Sequence, residues 1–150
     1  MNDLNSKSLQ MAQHCLWLRV RQASRALTAI YDAHLQPAGI LASQLTILSA
    51  ITVFGSQEVG FSELAAALMM DKTTLSRNIK PLEAAGLVRV ARSPADARAR
   101  ILLITPAGQA ALATAYPLWQ QAQQVVENAL STGTLQPLMD GLGKLASVPR

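Results

Sequence analysis

Apolar residues recur at spacings of three and four along the start of the chain: Leu9, Ala12, Leu16, Val20, Ala23, Leu27 and Ile30. That period matches one face of an α-helix. It predicts a single long helix ending before Pro37, with Gly39 at the turn. A second helix is expected to bury Leu41, Leu45, Leu48, Ile51 and Thr52, and Gly55 and Gly60 then bound a short connector holding Glu58 and Val59. Two shorter helices follow. Ser62 to Met69 turns Leu64, Ala65 and Leu68 inward, and Lys72 to Ala85 carries the stripe Leu75, Ile79, Leu82. Asp71 is suited to cap the second of these, because its carboxylate can accept the unpaired amide hydrogens of the first turn. Gly86 suits a left-handed stop, and Pro81 predicts a kink in the last turn.

The period then drops to two. Leu87 to Arg92 and Arg100 to Ile104 read as strands joined by the turn-rich tip Ser93–Ala99. Thr105-Pro106 restarts a helix as cap and first residue. It is expected to run to about Leu130 with a bend near Pro117, and a last short helix carries Leu135, Leu138, Leu142 and Leu145. Two short helices followed by a two-stranded hairpin make a winged helix-turn-helix. The expected class is mainly α, with a small β-hairpin wing and flanking helices at both ends.

Composition supports this class. Of 150 residues, 25 are Ala and 23 are Leu, both strong helix formers, while aromatics make up 4%. Mean hydropathy is +0.21, high for so short a chain. Yet the longest apolar run, Leu64 to Met70, is seven residues, against the roughly 20 that span a bilayer. Met1 to Gln10 is polar and lacks the apolar centre of a signal peptide. No membrane segment is expected, so the apolar excess belongs to a core or to a partner chain. A lone cysteine, Cys15, excludes an internal disulfide framework and fits a reducing cytoplasm.

The net charge of +4 is unevenly spread. Lys72 to Arg100 holds seven basic residues (Lys72, Arg77, Lys80, Arg89, Arg92, Arg98, Arg100) against Glu83 and Asp96, net +5, and the rest of the chain is near neutral. A basic segment on a helix-turn-helix is the footprint of a nucleic-acid reader. A recognition helix puts its N-terminal side chains into the major groove of double-stranded DNA. Thr73, Thr74, Arg77 and Lys80 lie opposite the apolar stripe, flanked by Ser76 and Asn78. Arg77 is suited to a bidentate bond with a guanine edge, Lys72 and Lys80 to phosphates, and the hydroxyls of Thr73, Thr74 and Ser76 to either. Arg98 at the tip is suited to a minor groove, with Asp96 restraining it by a local ion pair. The plainer alternative is a solvated basic face, and a rival from another class is a winged helix that docks proteins instead of DNA.

The sequence resembles the multiple-antibiotic-resistance regulator (MarR) family of bacterial transcription factors. The wing carries Asp96-x-Arg98, then five residues, then Ile104-Thr105, where the family usually has Leu-Thr. The run Asp71 to Val88 resembles the family's recognition helix and exit, Ala23–Thr28 with Tyr31-Asp32 its first helix, and Thr105–Gly108 the start of its long helix. Two departures are Met69, where glycine is common in the turn, and Ala97, where arginine is common in the wing. The resemblance implies a homodimer in which residues 1–36 and 105–150 dimerise and 37–104 forms the DNA-binding lobe. It implies a cytoplasmic regulator, with a repressor favoured, that reads a pseudo-palindrome and releases it when a small apolar or aromatic effector binds. Trp17, Arg21, Tyr31, His34, Tyr116 and Trp119 lie on helices bordering the family's effector cavity, although packing is the simpler role for each.

One branch of the family senses oxidation through a cysteine on the first helix. Aligned on Ala23-Ser24-Arg25, that position falls on Trp17, and two residues along a helix is a rotation of about 200°. Cys15 is therefore expected to be a small buried hydrophobe, with a redox thiol as the alternative. For an enzyme the constellation is missing. His14 and His34 would lie about 30 Å apart along one helix, too far to share a metal, and no nucleophile–base pair or phosphate loop is present. No catalytic residue, metal or cofactor is expected.

Overall fold

A computed structural model describes residues 2–55 and 58–149. Helices α1 (Asn2–His14), α2 (Leu16–Leu35) and α3 (Ala42–Gly55) are followed by strand β1 (Glu58–Gly60). Helices α4 (Phe61–Ala67) and α5 (Lys72–Ala84), strands β2 (Val88–Arg92) and β3 (Arg100–Ile104), and helices α6 (Pro106–Ala129) and α7 (Leu135–Ala146) complete the chain. This is a winged helix-turn-helix, mainly helical, flanked by helices at both ends. Ser56 and Gln57 of the expected connector lie outside the described residues.

The core gathers in the middle of the sequence. Ile47, Leu48 and Ile51 of α3 pack with Leu64 of α4, Leu75 and Leu82 of α5, and Val88 and Leu102 of the wing. Burial of these side chains removes apolar surface from water, and each is worth about 1.5–3 kcal/mol. The sheet is antiparallel, in the order β1-β3-β2. Val88 opposes Ile104, and Val90 opposes Leu102. These pairs share the face turned to the core, as the pleat requires.

Several boundaries match the sequence signals. Asp71 Oδ1 accepts the Thr74 amide hydrogen at 2.8 Å, and Thr105 Oγ1 accepts that of Gly108 at 3.0 Å. Gly86 stops α5 at φ +70°. The α5 helix continues past Pro81 to Ala84, and α6 runs through Pro117.

Four expectations change. The first helix is two helices: Cys15 takes an extended ψ of 103° at the N-cap of α2, although its amide still bonds the Met11 carbonyl at 2.9 Å. Cys15 is half-buried, not a core residue. The connector contains β1, a strand that exists only by pairing with β3. On α3 the buried side comprises Ile47, Leu48, Ala50 and Ile51, while Leu41 precedes the helix and is exposed, as is Thr52. Among the described residues, no single helix is long and apolar enough to cross a membrane; α2 and α3, taken together, meet at 74°.

Candidate nucleic-acid interface

Helix α4 turns sharply into α5 to form the helix-turn-helix. It closes with a double hydrogen bond: the Met70 amide donates to the Ala65 carbonyl at 2.9 Å, and the Met69 amide to Ala66 at 3.1 Å. This closure needs a left-handed residue between the helices. Met69 supplies it at φ +52°, the only non-glycine with positive φ among the described residues. Two residues later Asp71 starts α5. Its carboxylate takes the Thr74 amide through one oxygen and the Thr74 hydroxyl at 2.7 Å through the other. Those bonds, the hydroxyl first, hold the Asp71 carboxyl below its ordinary range.

Leu75, Ile79 and Leu82 anchor α5 in the core. Thr73, Arg77 and Lys80 stand on the opposite side, within about 60° of one another around the axis, and all are exposed, as is Lys72. Ser76 is half-buried. Thr74 differs from its neighbours, because its hydroxyl proton is committed to the cap and only its oxygen can still accept a bond. Asn78 reaches back along the helix, its Nδ2 donating to the Thr74 carbonyl at 2.9 Å.

The wing tip is tied down by its own main chain. The Ser93 amide donates to the Ala99 carbonyl, and the Ala99 amide to the Asp96 carbonyl, each at 2.9 Å. Asp96 restrains Arg98, but not by the expected ion pair. Its Oδ1 accepts the Arg98 backbone amide hydrogen at 2.9 Å, an Asx turn that leaves the guanidinium free to project. Among the described residues the only ion pair is Lys7–Asp3. The recognition helix and wing therefore present their cations unneutralised.

The seam between the wing and α6 had no role in the sequence pattern beyond the cap at Thr105. The Thr105 hydroxyl also donates, at 2.6 Å to the Gly86 carbonyl and at 3.1 Å to that of Leu87. A Cβ on Gly108 would sit 2.1 Å from the Leu87 carbonyl oxygen, so only glycine fits. This ties the exit of the recognition helix to the start of α6. A second unforeseen contact lies at the wing root, where the Arg100 guanidinium stacks 4.3 Å from the centre of the Phe61 ring. Phe61 opens α4 and did not stand out in the sequence pattern, where Arg100 counted only as one of the basic residues and a strand start.

An apolar cavity of about 1350 Å³ opens between α2, α3, α6 and α7. Of the six residues expected near an effector, Tyr31, Tyr116 and Trp119 line it; Trp17, Arg21 and His34 do not. Tyr116 and Trp119 stack with ring centres 5.9 Å apart. The Tyr31 hydroxyl donates to Gln123 Oε1 at 2.5 Å, and Gln123 Nε2 donates to Glu127 at 3.1 Å. Burial, then the Glu127 carboxylate, push the Tyr31 phenol up, so it stays neutral. Trp17 and Arg21 instead stack on each other at 4.9 Å. His34 Nδ1 lies 2.8 Å from the Ile30 carbonyl. His14 and His34 sit on separate helices.

A sequence model of the MarR family matches residues 38–99. The chain is similar to the Mycobacterium tuberculosis transcriptional regulator MosR, solved in complex with DNA. Identity is 34%, coverage 89% of this chain and 96% of that one, and the TM-score 0.77. It shares its fold with Bordetella bronchiseptica BpsR, whose DNA binding is regulated by 6-hydroxynicotinic acid (23% identity, coverage 91% and 96%, TM-score 0.81). The fold is also that of a variant of Escherichia coli MarR complexed with operator DNA (22% identity, coverage 90% and 96%, TM-score 0.80). No match was found among curated proteins.

Proposed function

The chain belongs to the MarR family of transcriptional regulators, and from that premise we propose that it is a DNA-binding repressor, acting in the cytoplasm as a homodimer on a pseudo-palindromic operator. The carrying observation is the exposed row Thr73, Arg77, Lys80 on α5, beside a wing whose Arg98 guanidinium has no carboxylate partner. In this reading Arg77 reads base edges, while Thr73, Thr74 and Ser76 contact bases or phosphates. Lys72 and Lys80 hold phosphates, and Arg98 enters the minor groove with Asp96 shaping its turn. Residues 37–104 read DNA, and residues 1–36 and 105–150 dimerise. Two copies then contact half-sites about one helical turn, roughly 34–36 Å, apart.

Dimerisation is supported by the flanking helices. No residue of α7 is buried, and Leu138, Met139, Leu142 and Leu145 are exposed. The α1 helix likewise exposes Leu4, Leu9 and Met11. A second copy would cover these faces and narrow the cavity, whose volume exceeds the roughly 300–1,000 Å³ of ordinary ligand sites. What remains would take a small apolar or aromatic effector, with Tyr31 as a neutral hydrogen-bonding group and Tyr116 and Trp119 as stacking surfaces. The BpsR and MosR likenesses support this reading for the ligand and the DNA, respectively.

The test is selection of bound duplexes from a random DNA library. Enrichment of an inverted repeat, with a solution mass twice the 16.0 kDa of the chain, is expected. Absence of DNA binding at low salt would sink the reading and leave a protein-docking winged helix. A thiol switch at Cys15 has one supporting feature, its half-exposed place at the break between α1 and α2. Peroxide treatment that leaves operator affinity unchanged would end that alternative.

A further inference from the structure

The core-facing row of the wing is apolar for two steps and then becomes cationic. Val88 pairs with Ile104, Val90 with Leu102, and the next pair on the same face is Arg92 with Arg100. Like charges directly opposite on neighbouring strands repel and weaken a ladder. No carboxylate lies within 4.0 Å of either guanidinium among the described residues, and neither side chain donates a hydrogen bond there. Arg100 is nonetheless held: its guanidinium carbon lies over the Phe61 ring, 4.3 Å from the centroid, a contact that stabilises the cation without a hydrogen-bond acceptor. The result is two exposed guanidinia on one face, each with five donors, and a fixed position for one of them.

We infer that Arg92 and Arg100 form a phosphate clamp at the root of the wing, gripping the DNA backbone beside the groove that Arg98 enters. This rests on the DNA-binding reading above. The dimensions fit: Arg100 opens β3 two residues after Arg98, which sits in the tip turn, so at most about 7 Å of chain separates them. The minor groove is about 7.5 Å deep. With Arg98 near the groove floor, the arginine pair stands at the height of the phosphates on its wall. A phosphate between the two guanidinia turns their mutual repulsion into shared attraction, and Arg favours this anion through its planar fork of donors. Such bonds set register and affinity but do not read sequence.

The test uses the full-length protein and a labelled mixed-sequence duplex of about three helical turns, titrated across a salt series. Every phosphate that the protein no longer neutralises lowers the slope of log affinity against log salt by about 0.9. The variant Arg92→Gln with Arg100→Gln is expected to lower that slope by about 1 to 2 per protomer and to weaken binding to all sequences alike. Arg92→Lys with Arg100→Lys keeps the charges and is expected to retain the slope, which separates charge removal from misfolding. Phe61→Leu removes the stack, keeps both cations, and is expected to leave the slope within about 0.5 of the parent while lowering affinity a few-fold. An unchanged slope in the double glutamine variant overturns the clamp, whether affinity holds, as for solvated charges, or falls, as for residues that only aim the wing. A parent protein that fails to bind the duplex at all defeats the DNA-binding reading itself, an outcome distinct from either.

Discussion

The winged helix-turn-helix lobe and the flanking helices use hydrophobicity in opposite ways. Between Ile40 and Ile104 lie 15 of the 18 buried core residues, so α3, α4, α5 and the wing complete a core within one chain. The arms hold few buried apolar side chains, Leu35 in α2 and Ala115 and Ala122 in α6, and they expose large ones such as Leu4, Trp17, Met139 and Leu145. Only α2 and α6 of the arms pack closely against other elements; α1 and α7 touch the rest of the chain sparsely. Amphipathic helices occur in both regions, α5 in the lobe and α2, α6 and α7 in the arms. An amphipathic stripe therefore specifies that a face will be covered, not by which chain. In the lobe the cover is intramolecular. In the arms, α1 and α7 leave their apolar faces exposed.

The sharpest way to break the comparison is to separate the regions at their seam. Gly108→Ala would drive a Cβ to 2.1 Å from the Leu87 carbonyl oxygen. Neither side can yield, because Leu87 is fixed by the Thr105 amide at 3.1 Å and by its own amide bond to Leu82 at 2.9 Å. A loss of about 3 kcal/mol is expected in denaturant unfolding, at the upper end for overpacking. A loss below about 1 kcal/mol would mean that the two regions are not rigidly joined there.

The arms are probed next. Leu142→Asp puts a charge on a face proposed to meet a second copy, where one buried leucine contributes about 1.5–3 kcal/mol per protomer. Light scattering is expected to show monomer, while amide exchange in the core of α3 and α5 stays slow. If the variant remains dimeric, α7 lies outside the interface. If exchange in the lobe accelerates, the lobe is not complete in one chain. In the lobe, Arg98→Ala is expected to lower operator affinity about 10- to 100-fold, the worth of one good groove contact, with the dimer and the thermal midpoint unchanged. Wild-type-like affinity would remove Arg98 from the interface.

Legibility in the sequence followed the range of the forces involved. Asp71, Thr105 and Gly86 act within one turn of themselves, and each was readable as a cap or stop. The basic row of α5 was readable because it is the complement of the stripe Leu75, Ile79, Leu82. The strand β1 was not, since its three residues are extended only because β3 pairs with them from 43 positions away at Val59–Leu102. Nor was the break at Cys15, where the apolar period continues from Leu9 to Leu16 and neither glycine nor proline intervenes. For Asp96 the spacing points to the right pair of residues but the wrong atoms. Spacing identifies neighbours, whereas the choice between a guanidinium and a backbone amide depends on the turn. The Phe61–Arg100 stack joins an element start to a strand start 39 residues later, which no local pattern encodes.

The smallest effect compares two ends of helices inside the lobe. Helices α4 and α5 close alike. The Met70 amide bonds Ala65 and the Met69 amide bonds Ala66, just as the Leu87 amide bonds Leu82 and the Gly86 amide bonds Glu83. Each closure passes through one left-handed residue, Met69 at φ +52° and Gly86 at φ +70°. Glycine adopts that conformation without steric cost; for an L side chain it costs about 1–2 kcal/mol. Met69 is half exposed, at 49%, so little packing offsets the strain. Met69→Gly is therefore expected to stabilise the chain by about 0.5–1 kcal/mol after glycine's larger unfolded-state entropy is counted. Gly86→Ala is expected to destabilise by about 1 kcal/mol, since nothing within 4 Å crowds its Cβ and only the backbone strain remains. Opposite signs in paired denaturant melts would show that the two turns obey one rule. If Met69→Gly instead lowers stability, the methionine side chain contributes packing that its exposure conceals.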